Sequence, residues 1–241
     1  VALELRRRGY EINGIRLDSG DLAYLSIEAR RILDEAGLTN VAILASNDLD
    51  ETTIASLKEQ GAQINVWGVG TNLVTAFDQP SLGGVYKMGA IRKDQSKWEY
   101  KIKLSEQTAK VTNPGILQVR RFQADGQYIG DAIYNSAEAV PQEWVIVDPA
   151  DPLRQKRIPP DATGEDLLQP IFRNGECVYD MPDIHTIRQR TNDQLSRFDP
   201  SIKRLLNPHE YPAGLELNLH HLKTDLIRQM RGQSAGVLPE D

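Results

Sequence analysis

The 241 residues are 40% hydrophobic and 26% charged, with a formal net charge of −6. That apolar content fills the core of a globular protein, and the acidic balance excludes a chain drawn as a whole to nucleic acid or an anionic membrane. One cysteine, Cys177, excludes an internal disulfide and a cysteine-based zinc site, and no apolar run approaches the roughly 20 residues that span a bilayer.

The chain opens Val-Ala-Leu-Glu-Leu-Arg-Arg-Arg-Gly-Tyr, without Met. Val1, Leu3 and Leu5 are apolar and basic residues precede Gly9, as at the end of an amphipathic helix. A start in mid-helix raises the expectation of a fragment.

Residues 12–37 read as a strand, a loop and a helix. Ile12, Ile15 and Leu17 lead into Asp18-Ser19-Gly20-Asp21, and apolar positions recur at mostly helical spacing from Leu22 to about 36, with Gly37 as the stop. A helix needs one N-cap, and this loop supplies four polar or glycine residues in a row. The surplus marks a candidate site at the edge where a parallel strand meets solvent, which is where α/β folds bind ligands.

The grammar repeats. Val41–Ala45 is an apolar run, expected to be buried on both faces, and it breaks into Ser46-Asn47-Asp48-Leu49-Asp50-Glu51 before a helix that ends at Gly61. Asp50 and Glu51 suit the first helical turn, which leaves Ser46 and Asp48 as the site candidates. A third unit runs through Ile64, Val66 and Trp67 into Gly68-Val69-Gly70-Thr71 and a helix. Glycines there let backbone amides approach an anion, aided by a following helix dipole. The stretch Gln79–Gly84 reads as a loop and Val85–Met88 as a fourth strand. Lys87 within it is either a solvent-facing edge residue or a cation for a loop acid or phosphate. Three βα units and a strand predict a parallel α/β sheet or barrel over residues 1–91.

Residues 92–241 change style. Pro114-Gly115 and Asp125-Gly126 between short alternating runs predict hairpins. Trp144–Val147 reads as a strand, and the prolines of 149–182 predict irregular chain. Helices are expected over 183–206 and about 215–231, the first with a solvated basic face, and 233–241 as a frayed tail.

Taken together, Gly-Ile-Arg-Leu-Asp-Ser-Gly-Asp-Leu (14–22), Ser-Asn-Asp-Leu-Asp-Glu (46–51), Gly-Val-Gly-Thr (68–71) and Gln-Pro-Ser-Leu-Gly-Gly-Val-Tyr-Lys (79–87) resemble nicotinate phosphoribosyltransferases in wording, order and spacing. Lys-Val-Thr-Asn-Pro-Gly (110–115) and Asn-Pro-His-Glu-Tyr (207–211) resemble later, weaker signatures of the same family. The resemblance implies an irregular TIM-like α/β barrel, here in part, with a C-terminal extension of β-hairpins and helices. It implies formation of nicotinate mononucleotide and pyrophosphate from nicotinate and 5-phosphoribosyl-1-pyrophosphate, coupled to ATP, with Mg²⁺ as cofactor. Asp18 and Asp21 become the expected catalytic acids. Arg16, Ser19, Ser46, Asp48, Gly68, Gly70 and Thr71 become the expected substrate contacts. A cytoplasmic homodimer with small-molecule substrates, and neither nucleic acid nor membrane as partner, completes the expectation.

The family's phosphorylated catalytic histidine has no counterpart here: His185, His209, His220 and His221 all lie in the C-terminal region, outside any such motif. The histidine is therefore expected in an N-terminal half beyond this chain. Alternatives are a nicotinamide- or quinolinate-type transferase, against which the Asn47-Asp48 and Gln79–Gly84 stretches speak, and a non-catalytic assembly or regulatory subunit.

Overall fold

The computed structural model describes residues 1–81, 83–94, 96–107 and 110–232. They form two compact units, the first ending at Gly84 and the second beginning at Val85. Leu82, within the expected Gln79–Gly84 loop, and the expected tail 233–241 lie outside the described residues. Among the described residues no helix is long and apolar enough to cross a membrane.

The first unit alternates helix and strand: α1 (Ala2–Arg7), β1 (Gly14–Leu17), α2 (Leu22–Glu35), β2 (Ala42–Ala45), α3 (Glu51–Glu59), β3 (Val66–Trp67) and the single turn α4 (Thr71–Val74). The three strands make one parallel sheet in the order β1-β2-β3. Val41, Ile43 and Ala45 are buried under α2 and α3 with Leu22, Leu33, Leu49 and Leu57. Ala42 and Leu44 are only half-buried and Val66 is exposed. Within this unit β2 is thus buried on one face, not on the two that its unbroken apolar run predicted.

Helix ends follow the sequence closely. Asp21 caps α2 and Asp50 caps α3, each accepting a backbone N–H from the third residue on. At the far end of α2, Gly37 takes φ +69, with its N–H bonded to the carbonyl of Asp34 and that of Leu38 to Leu33. This paired pattern uses up two carbonyls that would otherwise be left without partners. Inside, the buried Ser26 hydroxyl donates to the Ala23 carbonyl and accepts from the amide of Gln63, fixing α2 to the approach of β3.

The second unit is built on a six-stranded sheet. Its members are β6 (Leu117–Ala124), β7 (Gln127–Asn135), β8 (Val145–Val147), β9 (Gln155–Arg157), β10 (Thr163–Asp166) and β13 (Ala213–Glu216), in the order β10-β6-β7-β13-β8-β9. Two small hairpins accompany it: β4 (Ala90–Ile91) with β5 (Glu99–Tyr100), and β11 (Phe172–Arg173) with β12 (Glu176–Cys177). Helix α5 (Ile184–Ser196) is exposed throughout its apolar positions Ile184, Ile187 and Leu195, whereas α6 (Leu217–Met230) packs on β7, β8 and β13.

Several expectations are corrected here. Asp125-Gly126 does make a two-residue hairpin turn, both residues having positive φ, as a type I′ turn requires. Pro114-Gly115 does not: Gly115 adopts φ +106 and donates to the carbonyl of Gly89, which also accepts from Lys101. The proline-rich stretch is less irregular than predicted, since β9 and β10 join the large sheet. The last helix starts at Leu217, because Ala213–Glu216 form a strand parallel to β7 and antiparallel to β8. Gly214 lets it in: a Cβ there would lie 2.2 Å from the Val147 carbonyl oxygen. Val85–Met88 form no strand, and Val85 and Tyr86 are almost wholly exposed. The architecture is mixed α/β, and no sheet of the described residues closes into a barrel.

Candidate functional site

The parallel register of the first unit aligns the loops. Leu17, Ala45 and Trp67 are the last residues paired across β1, β2 and β3. The next residue of each chain is Asp18, Ser46 and Gly68. The ladder continues through this row in its backbone, with the Ser46 amide on the Leu17 carbonyl at 3.0 Å and the Gly68 amide on the Ala45 carbonyl at 2.8 Å. Three expected site residues therefore share one row at the carboxyl edge of a parallel sheet, the edge at which such sheets bind ligands.

Side chains tie the row together. Asp18 accepts from the Arg16 guanidinium at 2.8 Å on one oxygen and from the Ser46 hydroxyl at 2.8 Å on the other. Arg16 and Asp18 are two residues apart on a strand, hence on one face. Both stay open to solvent, with side chains 62% and 56% exposed. The result is a carboxylate fixed from two sides yet reachable, beside a guanidinium with further N–H donors.

The other expected residues fall into place differently. Asp21 uses Oδ1 to cap α2, accepting from the Tyr24 amide at 3.0 Å. Ser19 is exposed in the loop between the two aspartates. Asp48 is exposed, with φ +40, after Asn47 at φ +102. Asp50 is a helix cap: the Thr53 amide and hydroxyl hold its carboxyl below the usual carboxylate range. Gly70 is the N-cap of α4, and Thr71 its first residue. Among the described residues, a Cβ on Gly70 would meet nothing within 4 Å. Because α4 is one turn long, an anion at this loop would be met by backbone amides more than by a helix dipole. Lys87 is exposed and forms no ion pair among the described residues.

One participant escaped the sequence reading. Asn72, half-buried on α4, donates its carboxamide to the carbonyls of Leu49 at 3.2 Å and Asp48 at 3.4 Å. It ties the third loop to the second. Its position just after Gly-Val-Gly-Thr is the available signal, but nothing local in the sequence names its partners 23 and 24 residues away. Among the described residues, no three His, Cys, Asp or Glu side chains gather as a closed metal cage.

The chain is 42% identical to the nicotinate phosphoribosyltransferase of Bacillus subtilis over 234 residues, 95% of this chain and 47% of that protein. Residues 118–223 match the family described as the nicotinate phosphoribosyltransferase C-terminal domain. Nearly the whole chain is thus similar to about half of a nicotinate phosphoribosyltransferase. The human nicotinate phosphoribosyltransferase is 34% identical over 236 residues, 94% of this chain and 43% of that protein. The crystal structure of human nicotinic acid phosphoribosyltransferase superposes with a TM-score of 0.67 at 30% identity, over 94% of this chain and 42% of that one. The chain spans just under half the length of the family members it matches.

Proposed function

We propose that the strand-edge row serves the transfer of a phosphoribosyl group to nicotinate, forming nicotinate mononucleotide and pyrophosphate in an ATP-coupled reaction of NAD biosynthesis. The observation that carries this reading is the carboxylate of Asp18, held between Arg16 and Ser46 yet open to solvent. As the bond from ribose C1 to pyrophosphate breaks, positive charge develops on the ring. A carboxylate already oriented by two hydrogen bonds stabilises that charge without reorganising. Arg16 keeps guanidinium N–H donors for the nicotinate carboxylate or a phosphate. Ser46 and Asp48 face the ribose or its phosphate, and the amides of Gly68, Gly70 and Thr71 receive the 5′-phosphate. Asp21 supports the loop through its cap, and Ser19 lies within the same loop.

Magnesium fits this donor set in its usual manner, held by one or two carboxylates and by substrate phosphate oxygens rather than by a protein cage. Asp18, Asp21 and Asp48 are exposed carboxylates on this edge, and they would hold it. When bound, it neutralises charge on the departing pyrophosphate.

The three-stranded parallel sheet supports a reading as one arc of an irregular TIM-like barrel. In that barrel the half-covered face with Arg16, Leu44 and Val66 turns inward. Residues outside this chain, including the phosphorylated histidine, complete the site within a cytoplasmic homodimer. The test is to supply the full gene product containing these residues with nicotinate, 5-phosphoribosyl-1-pyrophosphate, Mg²⁺ and ATP. Nicotinate mononucleotide and pyrophosphate are expected, faster with ATP. Absence of both products, or preference for nicotinamide, overturns the proposal.

A further inference from the structure

The Ser46–Leu49 loop holds an unfavourable shape. Asn47 and Asp48 are consecutive non-glycine residues with φ of +102 and +40. Such conformations cost energy and persist only where surroundings impose them. The loop is fixed at both ends, by the Ser46 amide on Leu17 and by the buried Leu49 side chain ahead of the Asp50 cap. Among the described residues, the hydrogen bonds that reach the backbone between those ends come from one side chain, that of Asn72. Its Nδ2 carries two hydrogens and meets two carbonyls, so the carboxamide is matched to the task. Asn72 is half-buried while Leu73 and Val74 beside it are exposed.

We infer that Asn72 is a positioning residue for the phosphoribosyl-binding edge. It grips the Asp48 and Leu49 carbonyls and so holds the loop in the shape that presents Ser46 to Asp18 and Asp48 to the ligand. The inference rests on the proposed reading of this edge. Asn72→Asp keeps size and shape but sets a carboxylate against two carbonyl oxygens, so it breaks the grip with little change in volume.

Two measurements on Asn72→Asp and Asn72→Ala, made in the full gene product, test this. The first is amide hydrogen exchange. The Ser46 amide is expected to exchange at least tenfold faster, with α2 and the unfolding midpoint unchanged. Unchanged exchange at Ser46, or loss of protection throughout the unit, overturns the inference. The second is calorimetric titration with 5-phosphoribosyl-1-pyrophosphate and Mg²⁺, together with steady-state kinetics. About tenfold weaker donor binding is expected, with the donor KM raised in step and kcat lowered by less than that factor. A fall in kcat at constant donor affinity overturns the positioning role. If the unaltered protein fails to bind the donor, the functional reading of the edge falls, and the exchange result then decides by itself whether Asn72 holds the loop.

Discussion

The two units use one chemical arrangement in opposite ways. In the first, Arg16 pairs with Asp18 while the Ser46 hydroxyl donates to the same carboxylate, and both charged side chains are more than half exposed. In the second, Arg121 forms a two-pronged pair with Asp131, at 2.9 and 2.7 Å, while the Tyr211 hydroxyl donates at 2.8 Å. There the two charged side chains are 15% and 14% exposed. Asp131 holds the Arg121 guanidinium above its already high range, and burial, reinforced by Asp131, pushes the Tyr211 phenol up. Arg121 also lies against Tyr128 and Phe198, and Phe198 packs edge-on against Tyr211. The buried trio is part of the fold. The exposed trio adds little to stability and remains free to meet a ligand.

The largest expected effect lies in the buried trio. Asp131→Ala leaves Arg121 charged and unpaired in a poorly solvated place, and should cost about 3–5 kcal/mol in urea unfolding. A loss below about 1 kcal/mol would mean that the two trios are energetically alike. Next comes Asp18→Asn in the full gene product, expected to cut turnover about 10²-fold while moving stability by less than about 1 kcal/mol. Near-normal turnover would sink the catalytic role. Smaller again, Gly70→Val should raise the KM for the phosphoribosyl donor about tenfold, roughly 1.4 kcal/mol. Such a rise would assign the donor to this loop, and an unchanged KM would make the loop a simple turn.

The smallest effect is set by pH. The Asp50 carboxyl is held low in the fold, so its contribution to α3 is present above the unfolded-state value of about 4 and fades as pH falls through the folded one. Asp50→Asn should flatten that acid dependence, read by amide exchange in α3. An unchanged acid profile would remove Asp50 from the account.

Much of the first unit was legible because its signals are local. A strand that ends in a polar loop and a helix that ends in glycine are written within a few residues of one another. The i, i+2 spacing of Arg16 and Asp18 puts them on one strand face, although their ion pair is seen only in the structure. The link from Ser46 to Asp18, 28 residues apart, followed only once the parallel register was known. In the second unit the misreadings have physical causes. Leu215, Leu217 and Leu219 fit either a strand or a helix, and Gly214 marked the close strand approach that decides between them. Asn174-Gly175, the turn of the β11–β12 hairpin with both φ positive, is a strong hairpin signal that surrounding prolines obscured. Nothing in the sequence spacing alone joins Arg121, Asp131 and Tyr211, because the third arrives 80 residues after the second.

The late strand β13 also orders events in time. It fills the gap between β7 and β8, pairing Leu215 with Ile133 on one side and Val147 on the other. During vectorial synthesis those two strands leave the ribosome long before their bridge does, and each keeps an unsatisfied edge until Glu216 has emerged. The βα repeats of the first unit need no such wait. The nascent chain is accordingly most exposed to mispairing while residues 148–212 are being made, and truncations within that interval should be sticky where those ending before Val85 are not.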